Sequence, residues 1–142
     1  MNIGFDGLAL IKKFEGLRLA AYLDSVGIPT IGYGRTKGVK MGDTCTADEA
    51  EAFLRDDLAE AEKCVNGAVT AALTQHEFDA LVSFVYNLGC GNFRKSTLLR
   101  LLNEERHDEA ALEFRKWDRA GGQVLAGLTR RRMAEERLFE TA

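Results

Sequence analysis

The sequence predicts an α+β fold in which a small antiparallel sheet and a helical body are segregated along the chain. Three observations carry this. A stretch between Leu19 and Gly42 is rich in glycine and β-branched residues. Apolar residues at helical spacing flank it on both sides, and strands and helices do not alternate. The 142 residues suffice for one domain, or for two small lobes sharing a long element.

Each element has its own signal. Leu8, Ile11 and Phe14 recur at helical spacing between Asp6 and Glu15, and Gly16 then supplies a stop. Glycines 27, 32, 34, 38 and 42, set among Val26, Ile28, Thr30 and Ile31, read as short strands joined by tight turns. Pro29, the only proline, belongs at an edge or turn there. Thr46 and Glu49 match a capping box, opening a helix over 47–65 that holds no Gly or Pro. Phe53, Leu54, Leu58, Ala61 and Val65 could line its buried face.

A second capping box, Thr74 with Glu77, opens an apolar helix through Phe78, Leu81, Val82, Val85 and Leu88, ended by Gly89 and Gly91. Ser96 can cap a helix through Leu102, Asp108 can cap another ending near 120–122, and a last helix spans 128–140. The expected organisation is a single domain in three parts: helix and sheet over 1–46, a connecting helix over 47–65, and a helical lobe over 66–142.

Composition excludes several classes. A formal net charge of −3 argues against a general binder of nucleic acid or anionic membranes. Eight acids between Asp43 and Glu62, against Arg55 alone, read as a solvated helix face. Cys45, Cys64 and Cys90 have no metal spacing and no CxxC pair, so they read as small, partly buried thiols; a Cys45–Cys64 bridge is the alternative. Residues 1–14 lack the apolar core and cleavage site of a signal peptide, and no run is long enough to span a membrane.

Two carboxyls stand out. Glu15 closes an apolar helix, where the negative end of the helix dipole and the neighbours Phe14 and Leu17 disfavour the ionised form. Asp24 lies in a polar turn with Ser25 and Gly27, where a carboxylate stays ionised. Two carboxyls in contrasting surroundings are the usual equipment for cleaving a glycosidic bond, although Asp is also a common turn former.

Glu15, Asp24 and Thr30 form an E-x8-D-x5-T pattern that continues into Ile31-Gly32-Tyr33-Gly34. Together with residues 75–89, Ser96-Thr-Leu-Leu, Trp117 and Gly127-Leu-Thr-Arg-Arg-Arg132, it resembles the phage-type lysozymes of glycoside hydrolase family 24. The blocks are in order over nearly the whole chain, and they resemble those of the lambdoid phage endolysins. The resemblance implies a lysozyme-like fold, a sheet lobe and a helical lobe with a cleft between them. It implies hydrolysis of the β-1,4 bond between N-acetylmuramic acid and N-acetylglucosamine in peptidoglycan, by a monomer, without metal or cofactor, leading to host lysis. Glu15 would donate the proton; Asp24 and Thr30 would hold a water on the opposite face of the sugar, as inversion requires.

The resemblance also points to Tyr86, Asn87 and Ser96 as glycan-binding residues, although packing and capping explain those residue types equally well. Trp117 fits a core position better than a sugar platform. Of Arg130 to Arg132, one guanidinium could face Glu15 or the glycan, and at least one should be solvated. The family's Gly-Tyr-Gly-His has Arg35 in the histidine position. Counting from the Thr46 cap makes Asp57 its partner; a paired Asp57 should have a folded pKa below its unfolded one. Other classes fit less well. A lytic transglycosylase needs no water-holding pair, a noncatalytic wall-binding module needs none of the three residues, and a DNA-binding helix-turn-helix needs a basic recognition helix.

Overall fold

A computed structural model describes all 142 residues. They divide into two compact units, residues 11–60 and residues 1–10 with 61–142. No helix is long and apolar enough to cross a membrane.

In the smaller unit, helix α1 (Phe5–Glu15) ends as Gly16 turns at φ +73, and strand β1 (Arg18–Leu23) follows. It pairs antiparallel with β2 (Pro29–Gly32), setting Tyr22 opposite Thr30 and Leu23 opposite Pro29. The ladder is irregular between Arg18 and Tyr22, and residues 43–45 add an outer edge through Ala21 N to Asp43 O and Cys45 N to Leu19 O. Gly32 is required twice over: its φ is +67, and a Cβ there would lie 3.3 Å from the Ala50 Cβ. Helix α2 (Ala47–Ala68) starts at the expected capping box. Glu49 Oε1 accepts from Thr46 N at 2.9 Å, and Thr46 Oγ1 accepts from Glu49 N at 3.1 Å. It runs three residues beyond the expected end, and Ala50 and Cys64 join its buried face while Phe53 is half-buried.

The larger unit holds α3 (Gln75–Leu88), α4 (Cys90–Lys95), α5 (Thr97–Asn103), α6 (His107–Glu113), a 3-10 turn over Phe114–Lys116, strands β3 (Arg119–Ala120) and β4 (Gln123–Val124), and α7 (Ala126–Glu140). α3 packs mainly on α7. Phe84, fully buried, meets Phe93, Phe114 and Trp117 edge-on with centroids 5.4–6.2 Å apart, the arrangement that aromatic quadrupoles favour. Trp117 is half-buried in that cluster.

Four expectations change. Residues 1–10 belong with the helical unit, because Asp79 on α3 accepts from Gly4 N (2.9 Å) and Gly7 N (3.1 Å), satisfying free donors at the start of α1. A Cβ on Gly7 would come within 2.5 Å of the Asp79 Cβ, so only glycine admits the approach. Asp108 is not a cap: it lies inside the first turn of α6, whose N-cap is Arg106, and the helix stops at Glu113. The β3–β4 hairpin then replaces its expected last turns, pivoting on Gly121 and Gly122, both at positive φ. The fourth change is covalent. Cys64 and Cys90 form a disulfide that joins α2 to α4, while Cys45 is the free thiol. The Cys45–Cys64 alternative and the all-thiol reading both fall, because sequence spacing says nothing of which α-carbons come within bridging range; here they are 6.0 Å apart.

Candidate active site

All three predicted catalytic residues lie in the smaller unit. Glu15 is the last residue of α1 and is half-buried. Lys12, one turn earlier, is ion-paired with Glu51 of α2 and lies 5.6 Å from the Tyr33 ring centre. Its hydrogen bond and charge hold Glu51 below the usual carboxylate range. Leu17, expected to keep water from Glu15, is instead exposed between α1 and β1.

The β1–β2 turn builds the second group. Asp24 N donates to Ile28 O, Gly27 N donates to Asp24 O, and Gly27 sits at φ +83, the left-handed position that a three-residue hairpin loop assigns to glycine. The Asp24 side chain closes the loop from within. Its Oδ1 accepts from Val26 N at 3.0 Å and from Ile28 N at 2.8 Å. One carboxylate oxygen is therefore committed to the backbone. Thr30, buried in β2, donates from Oγ1 to Ile28 O at 2.9 Å. Asp24 and Thr30 are thus pinned to opposite ends of one residue, Ile28. The hydroxyl proton is used in that bond, and the oxygen's lone pairs remain available to accept.

Arg35 follows Gly34 and stacks with its guanidinium carbon 5.0 Å from the Phe53 ring centre. A single nitrogen, Nη1, serves both Asp57 Oδ1 (3.1 Å) and Asp56 Oδ2 (3.0 Å), rather than a two-bond fork on Asp57 alone. The Asp57 expectation needs a correction. Its carboxyl is pushed up, because burial outweighs the attraction of Arg35 and the Asp56 charge adds to burial. The folded chain therefore holds that proton more tightly than the unfolded chain. Asp57's contribution falls as pH rises from its unfolded value through the raised folded one. Arg35→Ala should widen that window upward, so its cost grows over the acid range and levels off above it. With Asp56 sharing the guanidinium, a double-mutant cycle of Arg35→Ala and Asp57→Ala should give a coupling of about 0.2–1 kcal/mol at pH 7. Near pH 3, where carboxyls are protonated, it should vanish. Urea unfolding reads both, and strict additivity at pH 7 would show that the contact contributes nothing.

The larger unit holds the remaining candidates. Tyr86 is half-buried and Asn87 exposed in the last turn of α3. Ser96 is 5% exposed, and its Oγ donates to Phe93 O at 2.6 Å and accepts from Leu99 N at 3.1 Å as the N-cap of α5. Capping α5 is the role its bonds show. Arg130 is solvated, whereas Arg131 and Arg132 are buried against Glu135. Burial presses Arg132 down and Glu135 up. The guanidinium stays charged because its ordinary value lies so far above neutrality. This cluster is absent from the sequence-derived site. Its signal was present in Arg131, Arg132 and Glu135, which stand three and four residues apart and so share one face of a helix.

Comparison with known proteins gives concordant results. A family profile described as phage lysozyme matches residues 12–135. The chain is 45% identical over 146 residues to the endolysin of Acyrthosiphon pisum secondary endosymbiont phage 1, covering 100% of both chains. It is 40% identical to the endolysin of Salmonella phage P22, covering 98% of each. Among solved structures, the muramidase domain of SpmX from Asticaccaulis excentricus superposes with a TM-score of 0.93 at 45% identity, covering 99% of both chains.

Proposed function

The chain belongs to the phage lysozyme family, and from that premise we propose that it is an endolysin hydrolysing the β-1,4 bond between N-acetylmuramic acid and N-acetylglucosamine with inversion. Glu15 protonates the departing glycosidic oxygen as the bond to the anomeric carbon breaks. A water attacks that carbon from the opposite face, and Asp24 takes its proton. Tyr86 and Asn87 contact the glycan. Lysis of the host follows from release of the enzyme to the wall.

The observation that carries this reading is the Ile28 clamp. With Oδ1 of Asp24 tied to the Val26 and Ile28 amides, Oδ2 is the oxygen left for a water. With the Thr30 proton given to Ile28 O, its hydroxyl can only accept from that water. A water donating one hydrogen to each presents its remaining lone pair to carbon. A nucleophile of that kind suits hydrolysis; a lytic transglycosylase has no use for it.

Product analysis of digested sacculi tests the proposal. Reducing muramic acid ends, released first as the α-anomer, are expected; 1,6-anhydro ends would overturn it. Thr30→Val removes the acceptor while keeping β-branching, so turnover should fall on the order of 10²-fold. The Ile28 carbonyl keeps the Asp24 amide as a donor, so urea unfolding should shift by no more than about 1 kcal/mol. A fully active valine variant would reduce Thr30 to a strand residue.

A further inference from the structure

Arg132 and Asn87 sit at opposite ends of one hydrogen bond and in opposite surroundings. Arg132 on α7 is completely buried, with its guanidinium carbon 5.3 Å from the Phe84 ring centre and its Nε 2.9 Å from Glu135 Oε1. Glu135 is equally buried and accepts from Ser83 Oγ at 2.5 Å and Arg131 Nε at 3.3 Å. An apolar side chain would fill that space with less desolvation, so the buried charge invites a specific role. Its outlet is Nη2, which donates to Asn87 Oδ1 at 2.7 Å, and Asn87 is exposed.

A guanidinium has donors and no acceptor, so the carboxamide must turn its oxygen toward Arg132. The NH2 group on the other side of the same plane is then the end left for a ligand. An exposed asparagine without such a partner can present either end; this one is held as a pair of donors. A group held in that polarity needs an acceptor and has nothing to offer a donor. Glycan hydroxyls do both. The acetamido carbonyl, repeated on every N-acetylhexosamine, only accepts.

We propose that Arg132 is a positioning residue that fixes Asn87 with its amide donors toward the glycan, where they bind the acetamido carbonyl of an N-acetylated sugar. This rests on Asn87 contacting the glycan, as in the function proposed above.

Asn87→Asp is the sharpest test. The aspartate keeps an oxygen for Arg132 and strengthens that bond by charge, while replacing the donor end with an acceptor. On soluble N-acetylated peptidoglycan oligomers KM should rise about tenfold, the worth of one hydrogen bond, with kcat changed by less than about threefold. A purely structural Arg132–Asn87 contact predicts the reverse: unchanged KM and equal or better stability. Unchanged KM would therefore overturn the inference.

A second arm identifies the acceptor. As competitive inhibitors, N-acetylated oligomers should lose about tenfold in affinity for Asn87→Ala. N-deacetylated oligomers should bind wild type and variant alike, and a persisting difference would overturn the carbonyl assignment. Arg132→Met combined with Glu135→Gln removes one buried charge of each sign, so the cluster keeps its net charge in Arg131. In a folded protein it should raise KM on the N-acetylated oligomers by freeing the amide to rotate; an unchanged value would overturn the positioning role. Wild-type products are scored separately, so 1,6-anhydro ends would overturn the hydrolase reading while leaving these binding comparisons interpretable.

Discussion

Glu15→Gln is expected to lower turnover of purified sacculi by at least about 10²–10⁴-fold, the range that general acid catalysis commonly supplies. Glutamine matches glutamate in shape and can still donate a hydrogen bond, but it carries no acidic proton for the leaving oxygen. Glu15 is half-buried at the end of α1, and the turn behind it is made by Gly16 and the Lys12 carbonyl. The substitution therefore leaves that turn untouched, and Lys12 keeps its own partner in Glu51. Cooperative urea unfolding and an unchanged far-UV spectrum should accompany the lost activity. A folded Gln variant that still turns over within about threefold of wild type would remove Glu15 from the mechanism.

Much of the smaller unit was legible because its determinants are local. A capping box joins residues three apart, a hairpin loop joins residues four apart, and the Asp24–Ile28 clamp is local in the same way. Such features depend on neighbouring residue types, which the sequence displays directly. The resemblance then supplied roles that periodicity could not, since an aspartate in a turn looks the same whether or not it performs chemistry.

What stayed hidden depends on long-range approach or on cancelling energies. Gly4 and Gly7 look like ordinary loop and helix glycines until Asp79, over seventy residues later, is seen against their amides. Ser96 had the residue type of both a sugar contact and a helix cap, and only its bonds to Phe93 O and Leu99 N reveal the cap. Asp57 was misjudged in sign, because a salt-bridge partner was inferred and the opposing desolvation was not. The β3–β4 hairpin is only two residues per strand, too short for alternation to reveal.

The disulfide leads to the other large expected effect. Cys64 lies near the end of α2 and Cys90 opens α4, with 26 residues of sequence separation spanning all of α3. Closing a loop of that length restricts the unfolded chain, by about 3.5 kcal/mol in the chain-entropy treatment. The native unit gains little from the bond itself, because α3 is already held by a buried aromatic cluster and by packing on α7. Cys64→Ser with Cys90→Ser should therefore retain the fold while losing about 2–4 kcal/mol. With a urea slope of about 2 kcal/mol/M, the unfolding midpoint falls by about 1–2 M. Reduction of the wild type should reproduce that shift, and reduction of the double variant should change nothing, since Cys45 has no partner to lose. Serine at position 64 also places a hydroxyl where the cysteine was 5% exposed, so Cys64→Ala with Cys90→Ala serves as the control for burial of a polar group. If the alanine pair unfolds at the same urea concentration as oxidised wild type, the bridge contributes nothing to stability and α3 is held by packing alone.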